Sequence, residues 1–227
     1  MHIMIIEEIL KKQKFASVVP FNFQTDTLLH LDLTEANTDL HTIDLTNTQV
    51  FSDYVFQKIN EAGAVCAVGG YLENRFIYRR SQHFQQSFEP RSIHLGVDIW
   101  AKAGTPVFAP LAGNVHSFAN NDTFGDYGPT IIVAHRLQDC TFYTLYGHLS
   151  LESLEGLEEG QAIEQGQQIA TFGDFPINGN WPPHLHFQVI TDMQGRKGDY
   201  AGVCEPSQQD IYAKLCINAN IVLGIEL

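Results

Sequence analysis

Trp181-Pro182-Pro183-His184-Leu185-His186-Phe187-Gln188-Val189-Ile190 is the stretch from which the rest of the chain is read. Beyond the prolines it is a short run rich in apolar and aromatic residues, which predicts a strand over Leu185 to Ile190. Side chains alternate along a strand, so His184 and His186 project from the same face. Earlier in the chain, His94-Leu95-Gly96-Val97-Asp98 offers another imidazole and a carboxylate. Fully extended, that segment would hold His94 and Asp98 roughly 13 Å apart, too far for one ion. Gly96 lets the chain bend between them. Asp98 is followed by Ile99-Trp100, so its carboxylate sits at the edge of a dry environment and needs a cationic partner, of which a metal is the simplest. Three nitrogen or oxygen ligands with a fourth position open make a catalytic zinc site, and His94, Asp98 and one of the 184/186 pair can supply them.

The bulk properties agree with such a protein and exclude others. With 227 residues, 44% of them hydrophobic, the chain can bury an adequate core. A net charge of −13, from 13 basic and 26 acidic residues, argues against a nucleic-acid or anionic-membrane surface and favours a neutral or cationic partner. Cys66, Cys140, Cys204 and Cys216 have no CxxC spacing, which suits buried, reduced thiols. The N-terminal patch Ile3 to Ile6 is cut by Glu7 and Glu8 before any lysine, unlike a secretory leader, and no apolar run reaches spanning length. A cytoplasmic location is the expectation.

Three parts follow from patterning. Residues 1 to about 75 contain an initial helix-like stretch, an alternating Leu29-His30-Leu31-Asp32-Leu33 strand and a helix from about Thr48, with Phe51, Tyr54, Val55, Ile59 and Ala62 at helical spacing and Gly63 as its stop. This part reads as a small α/β accessory lobe. From about 76 to 195, short apolar runs punctuated by Gly, Pro, Asn and Asp predict an antiparallel β domain of sandwich or barrel type, with strands over Thr130 to Ala134 and Thr141 to Tyr146 as well. The tail, 196–227, predicts one helix capped by Ser207 with Ile211 and Leu215 buried. The fold class is mainly β within an α+β whole. Gly104-Thr105-Pro106-Val107 and Gly160-Gln161-Ala162-Ile163 echo one another as in biotinyl and lipoyl carriers, but no lysine lies between Lys102 and Arg196 to be modified.

Histidines without such company, His2, His30, His41 and His83, read as ordinary surface or core residues. His116 and His135 each follow a predicted strand and read as supporting or incidental. His148 has a bland alternative too, stacked on Tyr143 or Tyr146 at a strand end. His184 has one as a fourth ligand, which would close the site and make it structural.

His94-x-x-x-Asp98, Gly104-Thr105-Pro106-Val107-x-Ala109, Tyr146-Gly147-His148-Leu149, Gly160 to Gly173 and Pro183-His184-Leu185-His186-Phe187-Gln188-Val189 together resemble the lysostaphin-type, LytM-like metallopeptidases of family M23, in the family's order over residues 75 to 190. The resemblance implies zinc bound by His94, Asp98 and His186, with His148 and His184 beside it as catalytic non-ligands. Asp126-Tyr127-Gly128-Pro129-Thr130 and Asn178-Gly179-Asn180-Trp181-Pro182-Pro183 resemble the M23-like module of bacterial fusion proteins that also carry kinase-like and aminotransferase domains. That likeness implies aminotransferase or kinase-like partner proteins.

Amide hydrolysis of a peptide or small amide is the implied activity, with peptidoglycan-derived peptides as one substrate class. Two other readings stay open: a zinc-retaining binding module whose groove is blocked, and a cytosolic amidohydrolase of amino-alcohol or amino-acid metabolism. No H-E-x-x-H occurs, so the glutamate base of that zincin design is absent, and the resemblance implies a neutral imidazole at His148 or His184 as the proton acceptor.

Overall fold

The computed structural model describes residues 2–225, with side chains from Ile6 onward, so His2 lies outside the described side chains. Its strands are β1 (Leu28–His30), β2 (Cys66–Gly69), β3 (Ile93–His94), β4 (Val97–Trp100), β5 (Pro106–Phe108), β6 (Gly113–Asn121) and β7 (Gly128–Leu137). They continue with β8 (Cys140–Gly147), β9 (Ala162–Ile163), β10 (Gln168–Thr171), β11 (His184–Ile190), β12 (Val203–Cys204) and β13 (Cys216–Ile217). Among the described residues, β1-β2-β4-β11-β8-β7-β6-β9 form one sheet, with β13 added beside β11. Every pairing in it is antiparallel except β1 with β2. Two short ribbons, β5 with β10 and β3 with β12, lie beside it.

Period-two alternation gives this sheet one greasy face and one chemical face. Val97 and Ile99 on β4, Leu185, Phe187 and Val189 on β11, Tyr146 on β8, and Ile131 and Val133 on β7 pack into the principal core. The opposite positions on the two central strands are Asp98 and Trp100, and His184, His186 and Gln188, all buried. Every residue of β11 is buried, so both faces of that strand are covered.

Helix α1 (His2–Leu10) closes the greasy face with Ile6 and Leu10. Helix α2 (Thr48–Glu61) covers part of the other: the Asn47 side chain accepts from the amides of Gln49 and Val50, and Phe51, Val55 and Ile59 point inward. Phe51 comes within 6.2 Å of the Trp100 ring, behind the site. The helix stops at Gly63, whose φ of 60° is the left-handed conformation that glycine tolerates.

From the N-terminal part, β1 and β2 continue the main sheet. β2 pairs with β4 as its neighbour, so Ala67 lies opposite Trp100 and Gly69 opposite Asp98. The predicted Leu29 to Leu33 strand shortens to Leu28–His30, because the Asp32 carboxylate accepts from the Thr34 amide and turns the chain. In the tail, Pro206–Gln208 forms a 3-10 turn and α3 spans Gln209–Leu215, so Ser207 is not its cap. Ile211 is 60% exposed and Leu215 only half-buried. A fourth helix, α4 (Asn220–Leu223), follows, and no described helix is long and apolar enough to cross a membrane.

Candidate metal centre

Sheet register assembles the site. Reading across four strands, Gly69, Asp98, His186 and Gly147 form a single row. The outer two are glycines for a reason of space: a Cβ on Gly147 would meet the Tyr127 ring at 2.5 Å, and one on Gly69 would overlap the Arg75 guanidinium. Bare positions on either side therefore let an arginine and a tyrosine lie over the sheet next to the carboxylate and the imidazole.

His94 reaches the row from β3. The chain bends at Leu95-Gly96, as the spacing required, and brings His94 Nε2 to 3.2 Å from Asp98 Oδ1. Gly96 has no room for a side chain, since its Cβ would lie 2.7 Å from the His186 ring. His186 Nδ1 is 3.0 Å from Asp98 Oδ1 and 3.0 Å from His94 Nε2, so three donor atoms converge on one point.

The protons of these groups are fixed by their outer partners. His94 Nδ1 donates to the Gly70 carbonyl at 2.9 Å, which leaves Nε2 a bare lone pair. Gln188 spends its amide hydrogens on the Ala201 carbonyl and Cys216 Sγ, so its Oε1 must accept, at 2.9 Å, from His186 Nε2. His186 Nδ1 is then also bare. Two imidazole lone pairs and a carboxylate oxygen thus face one another at contact distance with no hydrogen between them. Such a set repels itself unless a cation sits among its members, and nitrogen-nitrogen-oxygen is a zinc donor set. The residues fit the metal.

Asp98 is fully buried, which opposes its charge most strongly, yet the Arg75 guanidinium, with His94 whenever that imidazole is protonated, outweighs this and holds its carboxyl well below the usual carboxylate range. Burial, aided by the Arg75 charge, pushes His94 down to about 4, so its imidazole is neutral and its contact with Asp98 is no ion pair.

His148 and His184 stand beside the triad. The chain leaves β8 at Gly147, and His148 adopts φ 61°, a strained conformation for a residue with a Cβ, held by its amide on the Tyr127 carbonyl. Its Nδ1 donates to the Asn178 carbonyl at 2.8 Å. His184 Nδ1 donates to the Pro182 carbonyl at 2.7 Å, and its ring stacks on Trp100 at 3.9 Å. The two imidazoles are 4.1 Å apart between centroids. Each has its Nδ1 proton committed, so each offers a bare Nε2. Burial pushes His184 down to about 4; burial, reinforced by His184, drives His148 well below the ordinary histidine value. His184 Nε2 is 3.9 Å from the second oxygen of Asp98, outside the tight cluster.

A cavity of about 470 Å³ opens on Asp98, His148, His184 and His186. Tyr127, whose hydroxyl is 3.4 Å from His186 Nε2, and Tyr78 share its wall. All five site residues inferred from the sequence are therefore brought together. His83, read as an ordinary surface or core residue, lines the same cavity, whereas His30 and His41 are exposed. His135 is occupied elsewhere, between the Ala112 carbonyl and Thr144 Oγ1, and His116 bonds Ser117 Oγ.

Four contributors went unread in the sequence. Arg75 pairs with Asp98, Gln188 orients His186, Asn178 holds His148, and Tyr127 walls the cleft. Gln188 carried a signal, being the one further polar residue in register with His184 and His186. Asn178 also ties its own loop, accepting from the Trp181 amide and donating to the Trp181 carbonyl. Arg75 had no local signal, because its partner is remote in the chain.

Residues 92–199 match the model of peptidase family M23, a span that holds all five site residues. The chain carries an M23 peptidase domain. Its curated relatives include an L-Ala--D-Glu endopeptidase of Bacillus subtilis (strain 168), 30% identical over 53% of this chain and 36% of that protein. Another is the peptidoglycan DD-endopeptidase ShyC of Vibrio cholerae serotype O1, 28% identical over 54% of this chain and 27% of the relative. A zinc-containing peptidase from Vibrio cholerae of known structure is 27% identical, with TM-score 0.33, over 43% of this chain and 27% of that one. The chain spans about a third of the length of the curated relatives it matches.

Proposed function

We propose that this M23 domain is a zinc-dependent peptidase that hydrolyses an amide bond in peptidoglycan-derived peptides. The observation that carries the reading is the convergence of three bare donor atoms, His94 Nε2, Asp98 Oδ1 and His186 Nδ1, of which Asp98 and His186 line a cavity that also holds two neutral imidazoles. His94, Asp98 and His186 would hold zinc, which when bound would supply Lewis-acid polarisation of the scissile carbonyl and lower the pKa of a water. The rest belongs to the chain's own residues. With Nδ1 committed to a backbone carbonyl, His148 or His184 accepts a proton at Nε2, and the imidazolium so formed returns it to the leaving nitrogen. A hydrogen bond donated from Nε2 to a developing oxyanion is available only from that protonated form. The cavity gives an extended peptide room beside these groups. The peptidoglycan assignment is supported by the names of the two bacterial endopeptidases.

Mass spectrometry of muropeptides incubated with the zinc-loaded full chain tests the reading. Release of a cleaved stem or cross-link peptide that stops with a chelator is expected. Full zinc occupancy with every muropeptide and library peptide intact would overturn it in favour of a binding module.

A further inference from the structure

The match to the peptidase family begins at residue 92, but the outer support of the metal centre begins earlier. The segment from Gly69 to Arg75 grips His94 by its backbone: the Leu72 amide donates to the His94 carbonyl at 2.8 Å, and the His94 amide to the Glu73 carbonyl at 3.0 Å. Gly70 accepts the His94 Nδ1 proton. From the same segment, Arg75 reaches Asp98. Its side chain is 1% exposed; Nε donates to Glu73 Oε2 at 2.7 Å, and Nη1 donates both to Asp98 Oδ2 and to the Tyr78 hydroxyl. Glu73 in turn accepts from the Leu33 amide, so the guanidinium is anchored at both ends.

On the reading of the site as a zinc centre, we propose that Arg75 is a positioning residue for the metal, occupying Asp98 Oδ2 so that only Oδ1 faces the donor cluster. A carboxylate with both oxygens free can rotate and bind in either mode; one oxygen locked to a buried guanidinium leaves a single ligand atom in a fixed direction. The charges are consistent with that role. Asp98 and Arg75 cancel, and Glu73 adds one negative charge at the far end of the fork, so the site keeps one uncompensated anion for a divalent cation. Gly69 belongs to the same device, since only a residue without Cβ lets the guanidinium lie against β2 opposite Asp98.

The experiment measures metal affinity rather than turnover, using chelator competition with Zn2+ and the visible absorption of the Co2+-loaded full chain. Arg75→Met is expected to weaken zinc binding roughly 10- to 100-fold, the usual cost of losing an outer partner of a ligand, and to alter the cobalt spectrum. Arg75→Lys should recover part of the affinity, because an ammonium can hold Oδ2 but cannot fork to both carboxylates. Gly69→Ala, which keeps every charge and displaces the guanidinium, should lower affinity in the same direction and decides the matter where Arg75→Met does not fold. A folded Arg75→Met or Gly69→Ala protein with wild-type affinity and spectrum overturns the proposal. So does a loss that Arg75→Lys leaves wholly unrecovered while the metal-free thermal midpoint falls in parallel. His94→Ala separates the two ideas: if it binds zinc as wild type does, the zinc-centre reading itself fails, whereas a zinc-free His94→Ala beside an unaffected Arg75→Met removes only the role of Arg75.

Discussion

Asp98 and His186 are directly opposed on antiparallel neighbours β4 and β11, and that register sets Asp98 Oδ1 3.0 Å from His186 Nδ1. A slip of β11 by one residue would send His186, and His184 with it, to the greasy face, so the metal site and the core depend on the same pairing. Two strands thus carry the chemistry and much of the packing.

Each of the three proposed ligands should be needed for the metal. Elemental analysis of the full chain is expected to give about one zinc per molecule, and His94→Ala, Asp98→Ala and His186→Ala should each lose most of it, since each removes one of the three converging ligands from a site that keeps one position open. Wild-type zinc content in all three variants would remove the site.

His148→Ala and His184→Ala should behave differently from those variants. Both imidazoles stand outside the cluster of converging donors, so zinc should stay while turnover falls roughly 10²-fold or more, the scale of a lost acid–base group. Zinc content and rate are measured on the same preparations. If His184→Ala loses zinc as fully as His186→Ala, His184 is a fourth ligand and the site is a closed structural one.

How far this was legible in sequence depends on the distance over which each group acts. His184 and His186 declare a shared face by spacing alone, and the bend at Gly96 was required before His94 could meet Asp98. Strand cores at Thr130 to Ala134, Thr141 to Tyr146 and Leu185 to Ile190 were visible from their apolar runs, and each lies inside a longer observed strand. Tertiary pairing was not visible. β2 has only four residues, Cys66–Gly69, and nothing local says that it joins β4 or that Arg75 follows it to Asp98. The exposure of Ile211 shows the same limit at the C-terminal end, where the helical period was legible but the face with a partner was not.

Membership of β2 in the sheet changes what removing the N-terminal segment should do. Taken as a lobe over the groove, residues 1–70 could be deleted to raise activity. Their loss would instead strip β4 of its hydrogen-bonded neighbour and uncover Trp100, which packs against Phe51 of α2. Leu10, Phe51, Val55 and Val68, all buried, would go as well. Truncation should therefore give an unfolded or aggregated chain with little zinc, as judged by circular dichroism and size-exclusion chromatography. A folded, monomeric truncation with raised activity would show instead that the segment restricts access to the groove.

Acid should destabilise the metal-free protein well before ordinary carboxylates titrate. His94 and His184 lie at about 4 when folded, and burial also lowers His135 and His148. An unfolded histidine takes up its proton near 6.5, so between these values the unfolded state binds more protons and stability rises with pH. The contribution is therefore complete above about pH 6.5 and is lost as pH falls toward 4, at about 1.4 kcal/mol per histidine per pH unit. Asp98 acts in the same direction at lower pH, since a depressed carboxyl stabilises above its unfolded value and ceases to do so as pH falls through its folded one. Urea midpoints of the chelator-treated chain at pH 8, 7, 6, 5 and 4.5 should be level over the first two and then fall steeply. Equal midpoints across the series would mean that these imidazoles are not buried in neutral form, and the assignment of His148 and His184 as resting proton acceptors would go with it.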